Sequence, residues 1–230
     1  MPIKNETRLY SMADADLKQL ADNLKDSIVR DLTAFNTRNI TTIQVAAFEA
    51  LTDSFNNSST DEELQGALNV EVIVKDALAE NIRKAIRPVR NMAELAYNGT
   101  GKYKIFGFED MAILSDNDLQ RMAKRVARVG NTLLTELQAQ GLTAAQLTTL
   151  ETLANDLDKA IDKVGAANEN RDLQTQQRVM LGNTLWKEMS TLASIGQSLF
   201  ADTNEAKYND YILTGGTTTT PDAAVPVVTM

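Results

Sequence analysis

DADLKQLADNLKDSIVRDLTAF, residues 14–35, and DNDLQRMAKRVARVGNTLLTEL, residues 116–137, are the two stretches that decide the fold. In the first, Leu17, Leu20, Leu24, Ile28, Leu32 and Phe35 recur at intervals of three and four, which places them on one face of a helix. In the second, Leu119, Met122, Val126, Val129, Leu133 and Leu137 do the same. Ser115, with Asp118 three residues on, forms a capping-box pattern in which Asp replaces the usual Glu.

A shift of 102 positions superimposes these stretches and keeps residues 13–57 in gapless register with 115–159. Asp14, Asp16, Leu17, Ala21, Leu32, Thr33, Thr41, Gln44, Glu49 and Leu51 all meet identical residues. Amphipathic helices of any origin share an apolar rhythm; they do not share a turn and a closing motif. Here Asn39-Ile40-Thr41 matches Gly141-Leu142-Thr143, where Asn or Gly takes the left-handed position and Thr caps the next helix. Each half then closes on Lys and Tyr followed by an aromatic: Lys102, Tyr103 and Phe106 in one, Lys207, Tyr208 and Tyr211 in the other. The sequence therefore predicts internal duplication.

The turn folds a second helix back on the first. Leu147, Leu150, Ala154, Leu157, Ile161 and Val164 keep a three-four alternation, the seam of helices crossing at about 20°. A long third helix is expected from Thr60 to Tyr97, with Leu78, Ile82, Ile86, Val89 and Ala93 on one side and a kink at Pro88. Its counterpart runs from about residue 168 to Phe200 through Leu181, Leu185, Met189, Leu192 and Leu199. A break near Gly165 and fusion with the preceding helix are both compatible with the pattern.

The predicted fold class is all-α: an internally duplicated antiparallel helical bundle with long helices, about three per half, plus an extended C-terminal tail. The domain reading is an N-terminal arm at 1–12, a first helical repeat at 13–111, a second at 112–213 and a flexible or extended tail at 214–230.

Composition narrows function by exclusion. A formal charge of −8 and a pI near 4.7 disfavour binding to nucleic acid or to anionic membranes, since phosphate neutralisation needs clustered Lys and Arg. No run of about 18 apolar residues is present and the first residues lack a secretory h-region. The expected location is cytoplasmic, or outside the cell by release or export without a Sec signal. With no cysteine and no histidine, the chain lacks thiolate metal sites, Ser-His pairs and Glu-x-x-His ligands. No enzyme activity, metal or cofactor is expected.

Glu49 and Glu151 are the carboxylate pair that duplication places symmetrically. Beside the repeated Gln44 and Gln146 they read as surface or interhelical hydrogen-bonding residues. Asp14 and Asp116 read as helix-start residues, Trp186 as cover for the core edge, and Met92, Met122, Met180 and Met189 as core filler. Gly215-Gly216 reads as a linker into a Thr-rich tail.

One charged constellation remains. Arg121, Lys124, Arg125 and Arg128 line one side of their helix, while Asp22 and Asp26 stand at the positions equivalent to Lys124 and Arg128. Opposite charge at matching positions suits contact between copies or across a pseudo-twofold. The tail ends in β-prone Val225, Val227 and Val228, which together with Pro221 and Pro226 suit a short extended assembly arm. These residues are the candidate self-association sites. The functional expectation is a non-enzymatic structural protein that associates with itself into an oligomer, tube, sheath or filament. A soluble helical adaptor for another protein is the alternative, and a bundle binding a small ligand the weaker third.

Overall fold

The computed structural model describes residues 7–108, 111 and 113–216, and the tail valines lie outside them. Among the described residues the chain is helical, and its only β pairing is an isolated antiparallel bridge between Tyr10 and Gly216. The helices are α1 (Asp14–Arg30), α2 (Leu32–Asn36), α3 (Thr42–Asn56), α4 (Asp61–Tyr97), α5 (Gly101–Lys104), α6 (Asp116–Thr132), α7 (Leu134–Leu137), α8 (Ala144–Phe200) and α9 (Glu205–Asp210). None of them is long and apolar enough to cross a membrane.

The turns form as the residues dictate. Asn39 and Gly141 adopt positive φ, 61° and 93°. Thr41 and Thr143 then cap α3 and α8: each backbone N–H donates to the Gln side chain three residues on, at 3.0 Å to Gln44 and 2.9 Å to Gln146. Gln44 and Gln146 thus close helix N-termini rather than bridging helices, and such caps contribute about 1 kcal/mol each. The Ser115 hydroxyl accepts from the Asp118 amide at 3.2 Å. In α8 the helix runs unbroken through Gly165; one glycine costs about 1 kcal/mol relative to Ala, too little to interrupt it.

The chain forms two compact units, residues 1–60 with 172–230 and residues 61–171. Their boundaries fall at 60/61 and 171/172. The core of the first unit joins Leu17, Leu24 and Ile28 of α1, Phe48 and Phe55 of α3, and Leu185, Met189 and Leu192 of α8. The core of the second joins Ile82, Ile86 and Val89 of α4, Leu119, Met122 and Val126 of α6, and Leu147, Leu150 and Leu157 of α8. Each core is thus three helices deep in apolar side chains, and fully burying one such side chain contributes about 1.5–3 kcal/mol.

Three helical glycines admit neighbours that a Cβ would exclude. Leu147 lies over Gly130, the Tyr10 ring over Gly182 and the Tyr211 ring over Gly196. The last two lie fourteen residues apart on α8, about four turns, and so share one face.

Candidate functional site

The basic stripe is partly consumed within its own unit. Lys124 lies 3.5 Å from Asp158, and the Arg125 guanidinium rests on Gly107, whose φ is +65°. Arg121 and Arg128 are exposed. On α1, Asp22 pairs with Lys18 at 2.5 Å, one helical turn away, and Asp26 is exposed. Val225, Val227 and Val228 lie outside the described residues. Glu49 accepts from Lys25 at 2.9 Å, linking α3 to α1. Asp116 receives Lys75 from α4, so this helix-start residue also ties two helices.

Sequence reasoning missed how the N-terminal arm is held. Buried Asn183 accepts from the Leu9 amide at 2.8 Å and donates to the Thr7 carbonyl at 3.0 Å, gripping the extended arm at two points. Tyr10 is buried beside Gly182, and its hydroxyl donates to Asp14 at 3.0 Å. Burial and the Asp14 carboxylate push the Tyr10 phenol up to about 12. The Ser11 amide donates to the Gly215 carbonyl at 2.9 Å, and Gly216 abuts the indole of half-buried Trp186. Gly215-Gly216 is therefore a docking point for the arm as well as the end of the helical body.

A second unanticipated feature is buried Asp31, between α1 and α2. It accepts from Tyr211 at 2.9 Å and Arg30 at 2.6 Å, and from Lys207. Burial raises its carboxyl, but the hydrogen bonds from Arg30, Lys207 and Tyr211 outweigh it and hold the group down at about 2. The Tyr211 phenol is driven up by burial and by Asp31. The other unit has a looser counterpart: Lys102 and the Tyr97 hydroxyl donate to Glu136 at 2.5 and 2.8 Å.

Apolar exposure is concentrated on α4, where Val70, Ile73 and Val74 are 59%, 67% and 44% exposed. Their three-four spacing was legible in the sequence; their exposure among the described residues was not. Of the methionines read as core filler, Met122 and Met189 are buried and Met92 is partly so, whereas Met180 is exposed. A recess of about 110 Å³ lined by Arg90, Tyr103, Lys104 and Phe108 is well below the few hundred Å³ of a typical small-ligand pocket. Among the described residues, no three His, Cys, Asp or Glu side chains are grouped to hold a metal ion.

The fold and its surfaces thus define a class, an all-α protein with long helices. No family model matches the chain, and neither a curated protein nor a solved structure is significantly similar to it.

Proposed function

We propose that this chain is a non-enzymatic structural protein that arose by duplication and associates with itself through exposed helical faces. The duplication reading is supported by the common order of parts. α1 and α6 each have 17 residues, each is followed by a short helix, a left-handed residue and a Thr-Gln capping pair, and then a second helix. The compact units add a further regularity. The third helix of the first repeat, α4, packs with the first two helices of the second, and the end of α8 packs with α1 and α3. The closing motifs follow suit: Lys102 meets Glu136, and Lys207 meets Asp31. The repeats have exchanged their third helices, as protomers do in domain swapping.

The observation that carries self-association is the run of β-branched side chains standing in solvent on α4. Single exposed aliphatics are ordinary, whereas a contiguous apolar row on one helix marks an interaction surface. The exposed cations Arg121 and Arg128 add a polar contact of the kind that sets orientation more than affinity. Negative-stain electron microscopy of the purified chain tests this reading. Rings, tubes, sheaths or filaments are expected, and particles the size of a single 25.2 kDa chain at every concentration would overturn it.

A further inference from the structure

The turn that closes the first repeat gathers positive charge. Arg90 of α4 and Lys104 of α5, with Tyr103 and Phe108, line a recess of about 110 Å³. Arg125 reaches the same turn from α6, where its guanidinium lies against Gly107, the residue before Phe108. The aromatic wall is held in place by its own packing. Phe108 is buried, stacks on buried Phe106 with ring centroids 5.0 Å apart, and meets the Tyr103 ring at 5.7 Å. Gly107 holds φ at +65°, and a Cβ there would collide with the Arg125 guanidinium, so the cation fits against the turn because this residue has no side chain.

Neighbouring cations are spent on ion pairs: Lys102 on Glu136 and Lys124 on Asp158. Among the described residues no carboxylate pairs with Arg90, Lys104 or Arg125. Acids outnumber bases in this chain by 31 to 23, so three unpaired cations at one turn run against its composition. Like charges drawn together repel, and a bound anion relieves the repulsion. The other repeat has none of the three. With Ile82, Ile86 and Val89 set against Leu185, Met189 and Leu192, Arg90 matches Ala193; in the register of the closing motif Lys104 matches Asn209, and at the shift of 102 Arg125 matches Asn23. Both cores close on the same pattern of apolar side chains, so packing alone does not call for the cations.

The ligand that fits is small and strongly negative. The recess has room for a few water molecules, the size of a phosphate group rather than of a whole metabolite. Two cations on its walls and a third beside it suit the near-dianionic charge of a phosphate monoester better than a single carboxylate. An arginine fork and a lysine point charge are both suited to phosphate oxygens. The acidic balance of the chain weighs against an extended polyanion. We propose that the Arg90–Lys104 recess, with Arg125 beside it, binds the phosphate group of inorganic phosphate or of a small phosphate monoester. This site goes beyond the self-association reading and does not depend on it.

Titration of the isotope-labelled full chain with sodium phosphate, against sodium chloride at matched ionic strength and followed by amide NMR, tests the site through Gly107, whose resonance should move saturably with phosphate alone. Arg90→Gln and Lys104→Gln should each raise the dissociation constant about tenfold, as expected when a charged hydrogen-bonding partner is lost. Arg125→Gln should raise it by less. Lys163→Gln, which removes an exposed cation of α8 outside the recess, should change it by no more than about twofold, because such a charge acts only through screened solvent. Far-UV spectra should be unchanged, since Arg90, Lys104 and Arg125 are exposed. Phenyl phosphate separates the two sources: tighter binding than inorganic phosphate assigns the recess to an organic monoester, and equal or weaker binding assigns it to free phosphate. No saturable shift, a shift that chloride reproduces, or equal weakening by Lys163→Gln overturns the proposal. So does phosphate binding that emerges only in a Glu109→Gln, Asp110→Asn chain, because the chain's own carboxylates, which follow Phe108 in sequence and lie outside the described residues, are then the occupant.

Discussion

Replacing Asp31 with Asn removes a charge from the most completely buried carboxylate that the structure describes, with its side chain at 0% exposure in the Lys207 ion pair. The size of the effect follows from linkage. With its carboxyl at about 2 in the folded chain, against an ordinary 3.8, the ionised form stabilises the fold by about 2 kcal/mol at neutral pH. A carboxyl lowered on folding contributes in full above its unfolded value and loses that contribution as pH falls through its folded value. The advantage of wild type over Asp31→Asn should therefore be about 2 kcal/mol at pH 7, about half that near pH 3 and mostly gone by pH 2. Trp186 is the chain's one tryptophan and packs against the same core as Asp31's partner Tyr211, so its fluorescence during urea titration reports the relevant unit. A difference that stays constant between pH 7 and pH 3, or one near zero at pH 7, would refute the assignment of Asp31 as a charged lock between α9 and the α1–α2 corner.

Three further outcomes are expected. Gly196→Ala should destabilise the chain by about 1–3 kcal/mol in the same urea assay, because the new Cβ meets the Tyr211 ring, while Gly165→Ala, facing open space, should stabilise it by up to about 1 kcal/mol. Asn183→Leu should release the N-terminal arm and speed tryptic cleavage after Arg8 at least tenfold, with the helical content unchanged; an unaltered cleavage rate would show that the arm is held without Asn183. Truncation after Leu213 should shift Trp186 emission to the red by removing Gly216 from the indole, and truncation after Gly216 should not; equal spectra would contradict the docking of these glycines.

Much of the fold was legible because its signals are local. Asn39, Thr41, Ser115, Gly141 and Thr143 act on backbone groups within four residues of themselves, so helix starts and turns follow from the sequence. The apolar stripe of α4 likewise announced a helix ending at Tyr97. Periodicity says that a face is buried but not against which helix, and so the packing of α4 with α6 and of the end of α8 with α1 and α3 was hidden. The continuity of α8 was open because Gly165 lowers helix preference only slightly. Asp31 and Asn183 escaped notice because each works through partners more than 170 residues away, Lys207 and Tyr211 for one, Thr7 and Leu9 for the other. The charged stripe was real as a row on α6, yet two of its four members are engaged with Asp158 and Gly107, which sequence spacing does not reveal.

Self-association is the claim on which the functional reading depends, and sedimentation velocity of the untagged full chain, from micromolar to near-millimolar concentration, tests it most directly. The weight-average sedimentation coefficient is predicted to rise with concentration toward a dimer or larger species, and to rise less for Ile73→Glu. A single boundary at the value of a 25.2 kDa monomer across the whole range would contradict it.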